Sequence, residues 1–218
     1  MKIRVLGCNG GQLPGYFPVS FFINDHLILD AGSITSHLSL KDQHKIREIL
    51  ITHGHLDHTF SVLPHCQGYG IPAYIHSEDR ILLTHPEQAL SAVFAATLGE
   101  TNFYEPSDVR ELRNGEELEF LGMTLRAIHA PGHTRGSLIF TIADEVVITG
   151  DVLFAGSIGR TDQPTGSPKD MENTLRKKIW PLPDQMRVLP GHGPETTIGH
   201  ERRTNPYLRN LKNIGRSA

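Results

Sequence analysis

A chain of 218 residues, with 38% apolar and 21% charged side chains, can bury about 70% of its unfolded surface, so a substantial core needs no staples. Its 21 Gly and 14 Pro make it turn-rich and globular, which excludes disorder as the main state. The net charge of −3, with no block of like charges, argues against a nucleic-acid arm or polymer partner.

Cys8 and Cys66 are the only cysteines. They are too few for a disulfide framework, so a reducing compartment is the expectation. The uncharged stretch from Val5 to Asn24 is broken by four Gly and two Pro, which denies it both a membrane span and the apolar run of a signal peptide. A cytoplasmic protein without a membrane partner is expected. The remaining oddity is 13 His, and their positions decide the reading.

In chain order, Lys2–Leu6 alternates as a half-buried strand, and 20–24 with 26–30 reads as an apolar hairpin. Ser39 followed by Asp42 predicts a capped helix to about Glu48, and 49–51 is a buried strand running straight into Thr52-His53. A strand is expected over 71–75. Helical spacing over 78–98 is broken at Pro86 into two helices. Hairpins are expected around Gly122 and around 143–145, then a helix over 170–179, a strand over 187–189 and a last helix from about Ile198. Pro131-Gly132-His133 echoes Pro190-Gly191-His192. The order lacks strict βαβ alternation, so two helix-covered sheets are expected in one domain, 1–218, with similar halves.

The chemistry is concentrated in Thr52-His53-Gly54-His55-Leu56-Asp57-His58, where three imidazoles and a carboxylate follow a buried strand. Neutral imidazole and carboxylate suit a divalent zinc, iron or manganese ion, and a rigid strand fixes their positions. Four fixed residues in this order arise by chance in only about one in 700 chains of this length, so a solvated histidine cluster is the weaker reading.

With His133, Asp151 and His192 following at wide spacing, the chain resembles the metallo-β-lactamase superfamily. The resemblance implies an α/β fold, the αβ/βα four-layer sandwich, holding two divalent ions, zinc first with iron or manganese as alternatives. It assigns His53, His55 and His133 to one ion and Asp57, His58 and His192 to the other, with Asp151 bridging, and makes Asp57 and Asp151 part of the catalytic machinery. Residues 149–162 and 190–199, with Thr204-Asn-Pro206, look like short glyoxalase II-like thioesterases. These imply hydrolysis of acyl thioesters such as S-lactoylglutathione, a small-molecule substrate. The front, with Leu6-Gly-Cys-Asn-Gly-Gly11 and Leu29-Asp-Ala-Gly32, looks more like the cyclic-nucleotide phosphodiesterase-like branch, so a phosphodiesterase is the alternative, and the loop Asn9 to Pro18 is a candidate pocket wall. Gly159-Arg-Thr-Asp162 is shared with persulfide dioxygenases, which makes a mononuclear iron enzyme the further alternative.

Arg160 is expected to bind a substrate carboxylate. Asp30 either ends its strand or accepts the outer N–H of a ligand histidine. His129 is read as a structural hydrogen-bonding group, Cys8 and Cys66 as buried thiols, and the other histidines as solvated or locally bonded. No P-loop and no G-x-S-x-G elbow is present. Oligomeric state is not legible at this stage.

Overall fold

A computed structural model of the protein describes residues 1–10, 17–99 and 101–214. The loop segment 11–16, within the expected pocket wall, lies outside the described residues. The chain forms two compact units, Met1–Leu112 and Arg113–Ala218. Each carries a six-stranded sheet, so the fold is mixed α/β with two sheets.

In the first unit the strands β1 (Ile3–Gly7), β2 (Ser20–Ile23), β3 (Leu27–Ala31), β4 (Glu48–Leu50), β5 (Ala73–His76) and β6 (Val109–Leu112) lie in sequence order across the sheet. The first three are antiparallel and β3 to β6 are parallel. The β2–β3 hairpin closes through Asn24 and Asp25, both left-handed at φ 48° and 60°, a conformation that Asn and Asp tolerate better than most residues. Strand β3 is buried along its whole length, as an apolar run in the middle of a sheet should be. It joins β4, β5 and the helices in a core that includes Phe22, Ile28, Ile49, Ile51, Val62 and Ile75.

The helices are shorter than their periodicity predicts. Helix α1 spans only Leu40–Gln43, with Ser39 Oγ accepting from Asp42 N at 3.2 Å. It ends early because β4 must start at Glu48, beside Leu27. Two helices absent from the expected order, α2 (Leu56–Thr59) and α3 (Val62–Tyr69), follow the histidine cluster. The two helices expected over 78–98 are instead four short pieces: α4 (Ser77–Arg80), single turns at Ile81–Leu83 and Pro86–Ala89, and α5 (Ala92–Thr97). Pro86 starts a new turn, as proline does.

In the second unit β7 (Glu117–Phe120), β8 (Met123–His129), β9 (Leu138–Ile142) and β10 (Val146–Gly150) form the expected hairpins. A separate two-stranded hairpin, β11 (Leu153–Phe154) with β12 (Ser157–Ile158), comes next. Strand β13 (Arg187–Pro190) pairs parallel to β10, and β14 (Thr196–Thr197) edges the sheet. Helix α6 (Pro168–Thr174) continues through a wide turn at Leu175–Ile179, and the last helix is divided by Asn205-Pro206 into α7 (Ile198–Thr204) and α8 (Pro206–Ile214). Ile139, Val147, Met171, Ile179, Ile198 and Leu208 pack into this unit's own core. Among the described residues no helix is long and apolar enough to cross a membrane.

Candidate metal centre

In the first unit the candidate ligands follow the carboxyl end of β4, where parallel strands commonly present their functional loops. Asp30, fully buried near the end of β3, binds three groups at once. Its Oδ1 accepts from Thr52 N at 2.7 Å, and its Oδ2 accepts from Thr52 Oγ1 at 2.8 Å and from His58 Nδ1 at 2.9 Å. A carboxylate only accepts, so His58 carries its proton on Nδ1 and presents the lone pair of Nε2. The Thr52 hydroxyl has spent its hydrogen on Asp30 and therefore accepts from His53 Nδ1 at 3.1 Å, which puts the His53 lone pair on Nε2 too. Asp30 is thus the acceptor behind the ligands rather than a simple strand end.

His53 and His58 are buried and His55 half-buried. Their rings pack tightly, with His53 centroids 4.7 Å from His55 and 4.0 Å from His58. Ligand atoms of His53 and His55, of His53 and His58, and of Asp57 and His58 lie within 4.8 Å of each other. Asp57 Oδ2 stands 3.9 Å from His58 Nε2.

Two glycines permit this crowding. A Cβ on Gly32 would come within 1.9 Å of the Asp57 carbonyl oxygen, and one on Gly54 within 2.6 Å of Leu82 Cβ. Gly54 N also donates to Oδ2 of buried Asp79 at 3.0 Å, which pins the loop between His53 and His55.

The second unit repeats the logic. Asp151 follows β10 and His192 follows β13, adjacent parallel strands tied by Gly191 N donating to Gly150 O at 2.8 Å. His133 follows β8, and its Nδ1 donates to the Arg160 carbonyl oxygen at 2.8 Å, so its lone pair is on Nε2. That nitrogen lies 3.4 Å from Asp151 Oδ2, and His192 Nε2 lies 3.2 Å from the same oxygen. For His133, whose Nε2 carries the lone pair, a neutral ring turned against a carboxylate oxygen is repulsive. A divalent cation, or a second proton on the ring, reconciles them, and this donor chemistry fits a metal. Gly159 is again obligatory, since a Cβ there would fall 1.8 Å from Asp151 O and 3.1 Å from His133 Nδ1.

Each predicted ligand therefore stands with the other candidates of its own unit: His53, His55, Asp57 and His58 in the first, His133, Asp151 and His192 in the second. Arg160 contributes its backbone to His133, while its exposed guanidinium forms a two-bond pair with Asp162, Nε to Oδ1 and Nη2 to Oδ2, both 2.8 Å. That hydrogen-bonded guanidinium holds the Asp162 carboxyl down at about 2.

His129 makes a local bond, Nε2 to the Arg135 carbonyl at 2.8 Å. His26, His44 and His85 are locally bonded as well. His65 is buried, not solvated, and its Nδ1 bonds the Ser61 carbonyl at 2.9 Å. Cys66 is buried, whereas Cys8 is only half-buried.

Sequence reasoning missed Asp79 and Glu201, two fully buried carboxylates on helices remote in the chain. Neither has a local motif, because each is defined by a backbone N–H that folding brings to it: Gly54 N for Asp79 and Gly156 N for Glu201.

Comparison with known proteins follows the same lines. Residues 15–192 match the model of the metallo-beta-lactamase superfamily. The hydroxyacylglutathione hydrolase GloC of Haemophilus influenzae is 36% identical over 187 residues, covering 83% of this chain and 86% of that protein. Among solved structures, the BLEG-1 B3 metallo-beta-lactamase aligns with a TM-score of 0.77 at 29% identity, covering 95% of this chain and 99% of that one. TTHA1623 in a di-iron-bound form aligns at 0.66 with 30% identity, covering 94% of each.

Proposed function

This chain belongs to the metallo-beta-lactamase superfamily and is a metal-dependent hydrolase, and from that premise we propose that it hydrolyses acyl thioesters, with S-lactoylglutathione the first substrate. The observation that carries the metal chemistry is the locking of three imidazoles, His53, His58 and His133, each with Nδ1 held by an oxygen and Nε2 presented. The thioester choice is supported by the similarity to the Haemophilus hydroxyacylglutathione hydrolase.

In this reading the candidate ligands of the two units would hold two divalent ions. His53, His55, Asp57, His58, His133, Asp151 and His192 would be the residues that hold them. The ions would supply a nucleophile at neutral pH and polarise the scissile bond. Zinc is proposed first, and the di-iron form of TTHA1623 keeps iron in view.

The chain's own contribution is orientation. Asp30 and Thr52 fix the tautomers of His58 and His53, the Arg160 carbonyl fixes that of His133, and Asp57 and Asp151 bring the anionic charge that retains divalent ions. Arg160 is proposed to exchange Asp162 for a remote substrate carboxylate. The working partner is this small molecule, with no nucleic-acid polymer or membrane involved, in the cytoplasm.

The test is metal content per chain measured beside hydrolysis of S-lactoylglutathione, a cyclic nucleotide, a nitrophenyl phosphodiester and a chromogenic β-lactam. Preferential turnover of the thioester supports the reading. Preference for a phosphodiester or the lactam overturns the substrate, and inactivity on all four with one iron per chain points to the persulfide dioxygenase.

A further inference from the structure

We propose that Glu201, together with Asn205, is a positioning residue for the metal centre: it fixes the β11–β12 hairpin, and through it the Arg160 carbonyl that decides which nitrogen of His133 faces the metal. The inference rests on His133 being a metal ligand.

The hairpin cannot hold itself. Its strands are two residues each, paired only as Leu153 with Ile158 and Phe154 with Ser157, and it belongs to neither six-stranded sheet. Such a ribbon is at best marginal on its own. Yet the segment leaving it must be placed within tenths of an ångström. Gly159 lies so close to Asp151 that no Cβ fits between them, and the Arg160 carbonyl meets His133 Nδ1 at 2.8 Å.

Thr149 Oγ1 donates to the Leu153 carbonyl at 2.8 Å and Leu153 packs in the core, which anchors the first strand; the turn and second strand are held from α7 and the break after it. Glu201 is fully buried, and both its oxygens are engaged. Oε2 accepts from Gly156 N in the hairpin turn at 2.8 Å, and Oε1 accepts from Thr196 Oγ1 at 2.7 Å. Asn205, also fully buried, donates from Nδ2 to Glu201 Oε2 at 2.9 Å and to the Ser157 carbonyl at 3.0 Å. One buried carboxylate and one buried amide thus clamp the turn and the second strand of the hairpin. Burying a carboxylate is expensive unless several donors satisfy it, so its retention here, rather than an apolar filler, calls for a role that only its fixed hydrogen bonds perform.

Glu201→Met keeps a similar volume and removes both acceptors, so Gly156 N, Thr196 Oγ1 and Asn205 Nδ2 lose their bonds to this side chain. The expected result is a 10- to 100-fold weaker metal affinity by chelator competition, the range seen when an outer partner of a ligand histidine is lost. In the metal-free protein the His133 Nδ1–H resonance should shift or vanish while those of His53 and His58 persist. Leu208→Ala, which opens a cavity in the same core, serves as the control for mere destabilisation and should leave the His133 resonance in place. If Glu201→Met does not fold, Asn205→Ala removes the tie to Ser157 and is read in the same way.

Wild-type metal affinity and an unchanged His133 resonance in the folded variant would overturn the inference, as would the same loss in Leu208→Ala. These outcomes are independent of the substrate: a wild-type enzyme inactive on thioesters refutes the proposed reaction while leaving the metal readout of Glu201→Met intact.

Discussion

At Asp30, two oxygens accept three hydrogen bonds and so set the tautomers of two candidate ligand histidines, directly for His58 and through Thr52 for His53. Asp30→Asn keeps the volume but can no longer accept on both sides. It is expected to weaken metal binding by about 10- to 100-fold while the circular dichroism of the folded protein survives. An affinity equal to wild type would show that the bond to His58 is incidental.

Arg160 acts by its backbone on His133 and by its side chain on Asp162, so the two roles separate by substitution. Arg160→Ala should raise KM for S-lactoylglutathione several-fold with a smaller change in kcat. Asp162→Asn, which releases the guanidinium, should lower that KM, and a thioester without carboxylates should respond to neither. Equal losses on both substrates would mean that the side chain supports the loop instead.

The candidate ligands are legible as a cluster because H-x-H-x-D-H is dense and local. Asp30 was half-legible, as a carboxylate before Ala31-Gly32 with two roles open. Asp79 and Glu201 were invisible: one lies 25 residues from the amide it accepts and the other 45, and nothing in a Ser-Glu-Asp-Arg or Gly-His-Glu-Arg run announces a buried acceptor.

Among the elements, strands with long apolar or alternating runs were readable, because burial on one or both faces writes itself into the sequence with period two or as a block. β3, β8, β9 and β10 belong to this class. The two-residue strands β11, β12 and β14 carry no period at all and exist through tertiary bonds. Helices over 78–98 were over-read, since apolar spacing records which residues are buried but not whether one axis continues through them.

Helix α3 offers a measurable consequence of burial. Desolvation, with a smaller contribution from the charge of Asp108, pushes the Cys66 thiol from its ordinary 9.0 up to about 12. Between those values the unfolded chain loses a proton that the folded chain keeps, so this stabilisation is complete below about pH 9 and is lost as pH rises, at about 1.4 kcal/mol per unit. Urea unfolding at several alkaline pH values should show wild type declining more steeply than Cys66→Ala. Parallel declines would show that the thiol is not desolvated.

At the scale of the whole molecule, each unit has its own sheet, its own core and its own group of candidate ligands. Substituting a ligand should therefore spare the fold. Asp57→Ala is expected to cut turnover by orders of magnitude with little change in the thermal unfolding midpoint; near wild-type turnover on every substrate would remove Asp57 from the centre. Because the histidines must be neutral to bind a divalent ion, metal and activity should be lost together as pH is lowered. Full activity of a metal-free preparation at about pH 5 would refute that dependence.

The most direct test of a dinuclear thioesterase is to strip the protein, reconstitute it with zinc or iron, and follow S-lactoylglutathione hydrolysis against ions bound per chain. The expected result is saturation at two ions per chain, with turnover appearing as the second ion binds. Saturation at one ion, or two bound ions with no thioester turnover, would contradict it.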